Sequence, residues 1–462
     1  METSSRSSHF VASTAVLLAL VLLVTLPFAL TACGGTGAGS GNTTSTQPGA
    51  PSGSSGDDVV VAMSDVTRLT PAASQTDILS AADSLQLFGA DLYGILAAGA
   101  GEGNLVFSPS SIVTALAMTY AGAASITAEE MAATLHFTLE GDALHQAFNS
   151  LDTTLESRTW KQKNAEGKEE GVLLKTANSL WAQRDLAFEK SFLDTLAANY
   201  GAGIRLCDFG TAAEEARQAI NEWVAAETND KIPELIPKDI LSAMSRLVLV
   251  NAVYLDATWA VQFDPALTRD GPFTTLAGGT VTTPMMNQTA LFPYASGDGW
   301  QAVELPYLGN ELAMLLIVPD EGRFSEIEGG LTAGLIDETV AALSKATEVN
   351  LTMPKFEFRT QAGLNEALMS LGMKSAFGAA DFSGMTTQAD LFISAVVHEA
   401  FIAVDEEGTE AAAATAVVMG ESAQVSPPDL VTLTIDRPFL FALQDRETGA
   451  LLFLGRVADP TA

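Results

Sequence analysis

Cysteine is nearly absent from this 462-residue chain: Cys33 and Cys207 are the only two. One bridge cannot staple a fold of this length, so a packed core must hold it. Histidine is almost as scarce, at four residues (His9, His136, His145 and His398). That leaves no metal-ligand pattern, and neither a metal nor another cofactor is expected. Cations are few as well, 23 Lys and Arg against 56 Asp and Glu, a net charge of −33. Such a balance does not offset phosphate repulsion, which excludes a general nucleic-acid binder and disfavours adhesion to anionic membranes by charge alone. There is no G-x-S-x-G, no H-E-x-x-H and no clustered acidic pair with a plausible partner. No catalytic residue is assigned, and an enzyme is not expected. What abounds is apolar: 47% of residues are hydrophobic, too many for a disordered chain and ample for a large core.

The N-terminus reads as an export signal. Residues 11–30 are apolar, and Leu30-Thr31-Ala32-Cys33 places small residues before a cysteine that Gly34 and Gly35 follow. This stretch resembles a bacterial lipobox. The resemblance implies that residues 1–32 are removed and that Cys33 carries a lipid anchoring the chain to a membrane. A retained helix or ordinary cleavage is the alternative. With Cys33 so used, Cys207 is left as a buried small hydrophobe. Residues 34–75 read as a flexible tether, its first part rich in Gly, Ser, Thr and Pro, and residues 76–462 as the folded domain.

Helical spacing is seen at residues 77–98, in the run that Ser108-Pro109 opens, and at 128–135, 143–155, 189–200 and 212–228. Residues 158–171 read as a charged, solvated connection. Strands are expected at 172–181, at the almost wholly apolar 247–255, and at 280–284, 302–306, 313–318, 348–353, 356–359, 395–404 and 430–434. Helices are expected near 331–345 and 361–371, and a closing hairpin from 438–444 and 450–457. Helices come early and strands dominate later, which indicates an α+β fold.

One segment decides the function. Residues 405–418 read DEEGTEAAAATAVV. In a strand, one face would carry Thr409, Ala411, Ala413 and Thr415, and the other Glu410, Ala412, Ala414 and Ala416. The first face holds nothing larger than threonine. Such a strip can slide between existing strands without overpacking them. The bland alternative is an Ala-rich surface helix or loop.

The run EEGTEAAAATA resembles the mobile hinge of a serpin's reactive loop. Further segments resemble the same family in order and spacing: Asn104 to Ile112 (NLVFSPSSI), Ile220 to Val224 (INEWV), Leu249 to Tyr254 (LVNAVY), Val397 to Ala400 (VHEA), and Asp436 to Phe441 (DRPFLF) with Phe453 to Val457 (FLGRV). The resemblance implies the serpin fold, three β-sheets with eight or nine helices and an exposed C-terminal loop. It implies a monomeric extracellular inhibitor that a target serine protease, or a cysteine protease, attacks. The protease is trapped as an acyl-enzyme while the cut loop enters the central sheet. A non-inhibitory binding protein of the same family is the alternative.

The resemblance also supplies residues. The hinge comprises Glu406, Gly408, Thr409, Glu410, Ala411, Ala412, Ala413, Ala414 and Thr415. The "shutter" at the centre of the sheet comprises Ser108, Ser111, Asn251 and His398, with Asn251 and His398 expected to pair, since a buried polar group needs a partner. Trp259 marks the "breach" where insertion begins. Fourteen residues beyond Gly408 lies the expected reactive bond, Ser422–Ala423, within a window from Met419 to Gln424. No Arg or Lys lies between Glu410 and Pro428. That disfavours a trypsin-like target and favours an elastase-like or subtilisin-like one with a shallow pocket. Asn229-Asp230 stands where the family often has glycine.

Overall fold

A computed structural model describes residues 59–409 and 430–462, apart from 166 and 345. Cys33, the 410–415 part of the hinge and the Ser422–Ala423 bond lie outside the described residues.

Three sheets and nine α-helices are found among the described residues. The large sheet has eight strands: β1 (Val60–Ala62), β2 (Trp160–Lys163), β3 (Glu169–Gln183), β4 (Ile204–Cys207), β5 (Leu247–Thr258), β6 (Phe356–Gly363), β7 (Ile393–Val404) and β8 (Gly408–Thr409). Their order is β1-β4-β3-β5-β8-β7-β6, with β2 beside β3. A six-stranded sheet contains the closing hairpin Phe439–Asp445 and Leu451–Val457, and a four-stranded sheet contains Thr280–Phe292, Thr347–Pro354 and Val431–Thr434.

The unbroken apolar run LVLVNAVYL makes β5 the middle of the large sheet, because such a strand is stable only when buried on both faces. Helix Pro109–Tyr120 packs against it. Proline sits at the start of that helix and Ser108 caps it by accepting from the Ser111 N–H.

Three regions differ from expectation. Residues 158–171 are not a solvated loop: β2 and β3 form a hairpin, Trp160 opposite Val172. Charged residues had hidden a strand whose side chains face solvent, and Lys161 spends its charge on Asp256. Gly171 is obligatory there, since a Cβ would lie 2.2 Å from the Trp160 carbonyl and φ is +136°. Within the segment read as tether, residues 59–75 are structured. Val60–Ala62 pairs with Ile204–Leu206, Arg68 binds Asp152 and Glu156, and the Leu69 N–H donates to the Ala198 carbonyl. Finally, β6 runs to Gly363, so the helix expected from 361 begins at Asn365.

Candidate functional site

The parallel ladder between β5 and β7 runs from Leu247/Ile393 to Val253/Ala400. Above that point the two strands no longer pair with each other. Gly408 and Thr409 of β8 lie between them, with Gly408 opposite Thr258, and Thr409 opposite Ala257 on one side and Val404 on the other. The large sheet is therefore closed below and split at one end, with two hinge residues already in the split.

Each hinge residue has a reason to be there. A Cβ on Gly408 would lie 2.0 Å from the Ala257 carbonyl oxygen, so only glycine fits. The Thr409 side chain is 2% exposed and hydrogen-bonds the Tyr307 phenol at 2.6 Å. The Tyr307 ring stacks on Trp259 with centroids 4.4 Å apart. Trp259 in turn donates from its backbone N–H to the Glu407 carbonyl and from its indole Nε1–H to the Asp405 carbonyl. The Asp405 carboxylate accepts from the backbone N–H groups of Glu407 and Gly408, closing a local turn.

Two ion pairs flank that turn. Glu406 accepts from Lys355 at 2.7 Å and from Thr268 at 2.7 Å. Burial raises its pKa, but those hydrogen bonds outweigh burial and hold it below the ordinary range. Glu407 pairs with Lys168 through one oxygen, while its buried Oε1 has no partner. Burial pushes the Glu407 carboxyl up, and Lys168 opposes this. Tyr307, Lys168, Lys355 and Glu407 were not assigned from the sequence. Tyr307 lies 102 residues from Thr409, and no motif signals that contact.

The four shutter residues come together, but not in the expected pairing. Asn178, Asn251 and His398 stand side by side across β3, β5 and β7. Ser111 Oγ donates to Asn178 Oδ1 at 2.6 Å, and the Ser108 backbone N–H donates to His398 Nε2 at 3.1 Å. Asn251 and His398 are adjacent yet their side chains are not hydrogen-bonded to each other. Both side-chain polar atoms of Asn251 are buried without a partner, and the His398 ring meets Asn251 only through the Asn251 backbone. The helix that carries Ser108 and Ser111 reaches over Asn251 to its neighbours on either side, which explains the mismatch. Each unmet buried group costs about 1–3 kcal/mol. Burial lowers the His398 pKa to about 3, overriding a favourable backbone contact from Asn251, so the ring is neutral.

Asn229 and Asp230 both adopt left-handed backbone, at φ +51° and +61°, a region these residue types tolerate better than most others lacking glycine's freedom. Cys207 is buried and free, its thiol pushed up to about 12 by burial, as a packing residue requires.

The sequence matches the family described as Serpin (serine protease inhibitor) over residues 83–460. It is 42% identical over 379 residues to an uncharacterized serpin-like protein of Thermococcus kodakarensis, covering 82% of this chain and 85% of that one. It is 37% identical over 391 residues to the leukocyte elastase inhibitor of Sus scrofa, covering 83% and 99%. Among solved structures, native-state tengpin, a thermophilic serpin, superposes with a TM-score of 0.73 at 28% identity, covering 87% of this chain and 99% of that one. Uncleaved ovalbumin superposes at 0.72 with 26% identity, covering 82% and 99%. With the sheet architecture and the half-seated hinge, these likenesses establish that the chain belongs to the serpin family.

Proposed function

We propose that this chain is a suicide inhibitor of an extracellular serine protease, acting by cleavage within residues 419–424, trapping of the acyl-enzyme, and insertion of the hinge into the large sheet. One observation carries the reading: Gly408 and Thr409 already occupy the split between β5 and β7, directly above strands that must part to admit more chain. Insertion needs small residues to follow, and Ala411, Ala413 and Thr415 follow on the Thr409 face of the sequence. About 15 residues at ~3.3 Å each would carry an attached protease roughly 50 Å. Each new ladder bond adds about 1 kcal/mol net. Asn251, whose side-chain polar atoms have no partner, lies in the paired ladder two residues short of the split, so parting the strands there breaks no side-chain hydrogen bond of Asn251. A non-inhibitory binding role has less support, because nothing in such a role requires a glycine held between two strands inside the large sheet or a run of small residues behind it.

The target is an elastase-like or subtilisin-like enzyme. The lack of Arg and Lys between Glu410 and Pro428 supports this, as does the likeness to a protein named leukocyte elastase inhibitor. Cys33, once exposed by signal removal, would hold the monomeric inhibitor at a membrane surface by a lipid. Incubation with a panel of elastase-like and subtilisin-like proteases tests the mechanism. A denaturant-resistant conjugate is expected, with the cut mapped by mass spectrometry between Met419 and Gln424. Plain proteolysis by every enzyme, with no conjugate, would falsify the inhibitory reading. The anchor is tested separately by Cys33→Ser, which should abolish membrane retention or maturation.

A further inference from the structure

The N-terminal tether and the insertion groove meet the same end of the large sheet. Val60 lies opposite Leu206 of β4, so Val59, the first described residue, stands level with Cys207. Cys207 is level with Gln183 of β3. The Gln183 N–H donates to the carbonyl of Arg246, the residue before β5 begins at Leu247. The chain therefore joins the folded domain at the Leu247 end, and it is secured there. Val59 packs against the apolar cluster that holds Trp181 and Phe209, Ser64 Oγ donates to Asp194, and Arg68 pairs with Asp152 and Glu156.

The hinge lies at the other end. Gly408 faces Thr258 and Thr409 faces Ala257. Each further residue of an inserted strand moves back one residue along β5, so Met419 would fall level with Leu247, where β5 starts. That point is about 36 Å from Gly408 at ~3.3 Å per residue. Met419 also opens the window of the candidate reactive bond. An enzyme bonded within that window is thus carried to the end of the sheet where the tether attaches, or just past it. The order β1-β4-β3-β5-β8 puts four strand spacings between tether and groove, about 19 Å. A protease of some 230 residues is roughly 45 Å across, judged from its expected radius of gyration. Its half-width exceeds the offset, so the enzyme overlies the point of attachment.

Twenty-five residues separate Cys33 from Val59. A Gly/Ser-rich chain of that length averages about 25–30 Å end to end and reaches about 85 Å at full extension. The average is less than the enzyme's width, and the full reach is well beyond it.

We propose that the Leu247 end of the large sheet is the face this inhibitor turns to the bilayer, and that the tether is a spacer that makes room there for the trapped protease. This rests on both the inhibitory reading and the lipid at Cys33. Insertion finishes only if the enzyme can pass between domain and membrane. With a tether too short, the bilayer stops the enzyme part-way and the acyl bond is hydrolysed. Water supplies the hydroxyl of the new carboxyl group and the proton that returns to the enzyme's serine oxygen, and the inhibitor is released cut.

The test compares the full chain with one lacking residues 36–53. The deletion keeps Gly34 and Gly35 after Cys33 and leaves seven residues before Val59, a reach of about 26 Å at most. Both lipidated chains are reconstituted in phosphatidylcholine vesicles and reacted with a protease of the panel. On vesicles the parent should give mainly conjugate and the shortened chain mainly cleaved product. In detergent, with no bilayer behind the domain, the two should give equal conjugate. Refilling the deletion with a Gly/Ser segment of equal length should restore conjugate on vesicles, since length and not sequence is what acts. Equal yields from both chains on vesicles would overturn the spacer. A deficit of the shortened chain that is as large in detergent would overturn it too, by placing the fault in the domain. The two underlying readings fail separately: a parent that conjugates no enzyme in detergent refutes inhibition, and a parent that does not sediment with vesicles refutes the anchor. Either result removes the spacer as well.

Discussion

Thr409 Oγ1 lies 2.6 Å from the phenol oxygen of Tyr307, and both groups are buried. The bond secures the second residue of β8 to an aromatic pair, Tyr307 on Trp259, that also holds the turn before it. Burial pushes the Tyr307 pKa far up, so the phenol is neutral at any pH the protein meets. Tyr307→Phe leaves the Thr409 hydroxyl buried without a partner, at a cost of about 1–3 kcal/mol. The variant should lose that much stability in denaturant titration and expose the hinge to proteases that do not cut the parent there. Unaltered stability would mean that the hydroxyl finds another partner.

Gly408 sets a steric limit rather than an energetic one. With a Cβ 2.0 Å from the Ala257 carbonyl oxygen and 3.0 Å from Thr258 Cα, Gly408→Ala cannot keep β8 in place without moving β5. The hinge should withdraw, and a larger share of encounters with a target enzyme should end in cleaved chain instead of conjugate. The ratio of the two bands on a denaturing gel measures this. A ratio equal to that of the parent would show that β8 is not the start of insertion.

Legibility in the sequence followed the length of each signal. The run at 247–255 fixed β5 because nine consecutive residues, almost all apolar, admit few other readings. The glycine and small residues of the hinge were equally readable, since sterics restrict which residues can occupy a crowded strand. Short or solvent-facing strands were not: β2 was hidden by its lysines and Val60–Ala62 by the low-complexity run before it, because both depend on a partner far along the chain. At the sheet centre the residue types were readable and their partners were not. Ser108 and Ser111 approach from a helix, and no sequence spacing shows that they reach past Asn251 to His398 and Asn178.

Lys168 and Glu407 make a second electrostatic hold on the hinge. Burial raises the Glu407 pKa, Lys168 lowers it, and the adjacent Asp405 and Glu406 raise it again, for a net rise. A carboxyl whose pKa is higher folded than unfolded costs the native state when ionised, and the cost fades as pH falls through the folded pKa. Lys168→Ala enlarges that cost. The variant should be less stable than the parent by about 1–2 kcal/mol at neutral pH, less than a fully buried pair because the lysine is partly exposed. The gap should narrow on acidification. A gap that stays constant on acidification would mean that Lys168 does not act through the ionised Glu407 carboxylate.

His398 predicts the opposite trend. Its pKa is about 3 in the folded chain and about 6.5 when unfolded. Between those values the unfolded chain binds a proton that the native sheet refuses, so the contribution is complete above pH 6.5 and is lost as pH falls toward 3. At pH 5 the difference of about 1.5 units amounts to about 2 kcal/mol. His145, buried against the Tyr200 phenol and lowered to about 4, acts in the same direction. The parent should therefore lose about 4 kcal/mol between pH 7 and pH 5 from these two rings. His398→Gln can still accept from the Ser108 N–H but does not titrate. Its stability at neutral pH should be lower, because the amide fills the site less well, yet its decline between pH 6.5 and 5 should be shallower by about half. Denaturant titrations at half-unit pH intervals separate the two effects. Parallel curves for parent and variant would mean that acid lability arises elsewhere in the molecule, with His145 or the carboxylates around the hinge as its source.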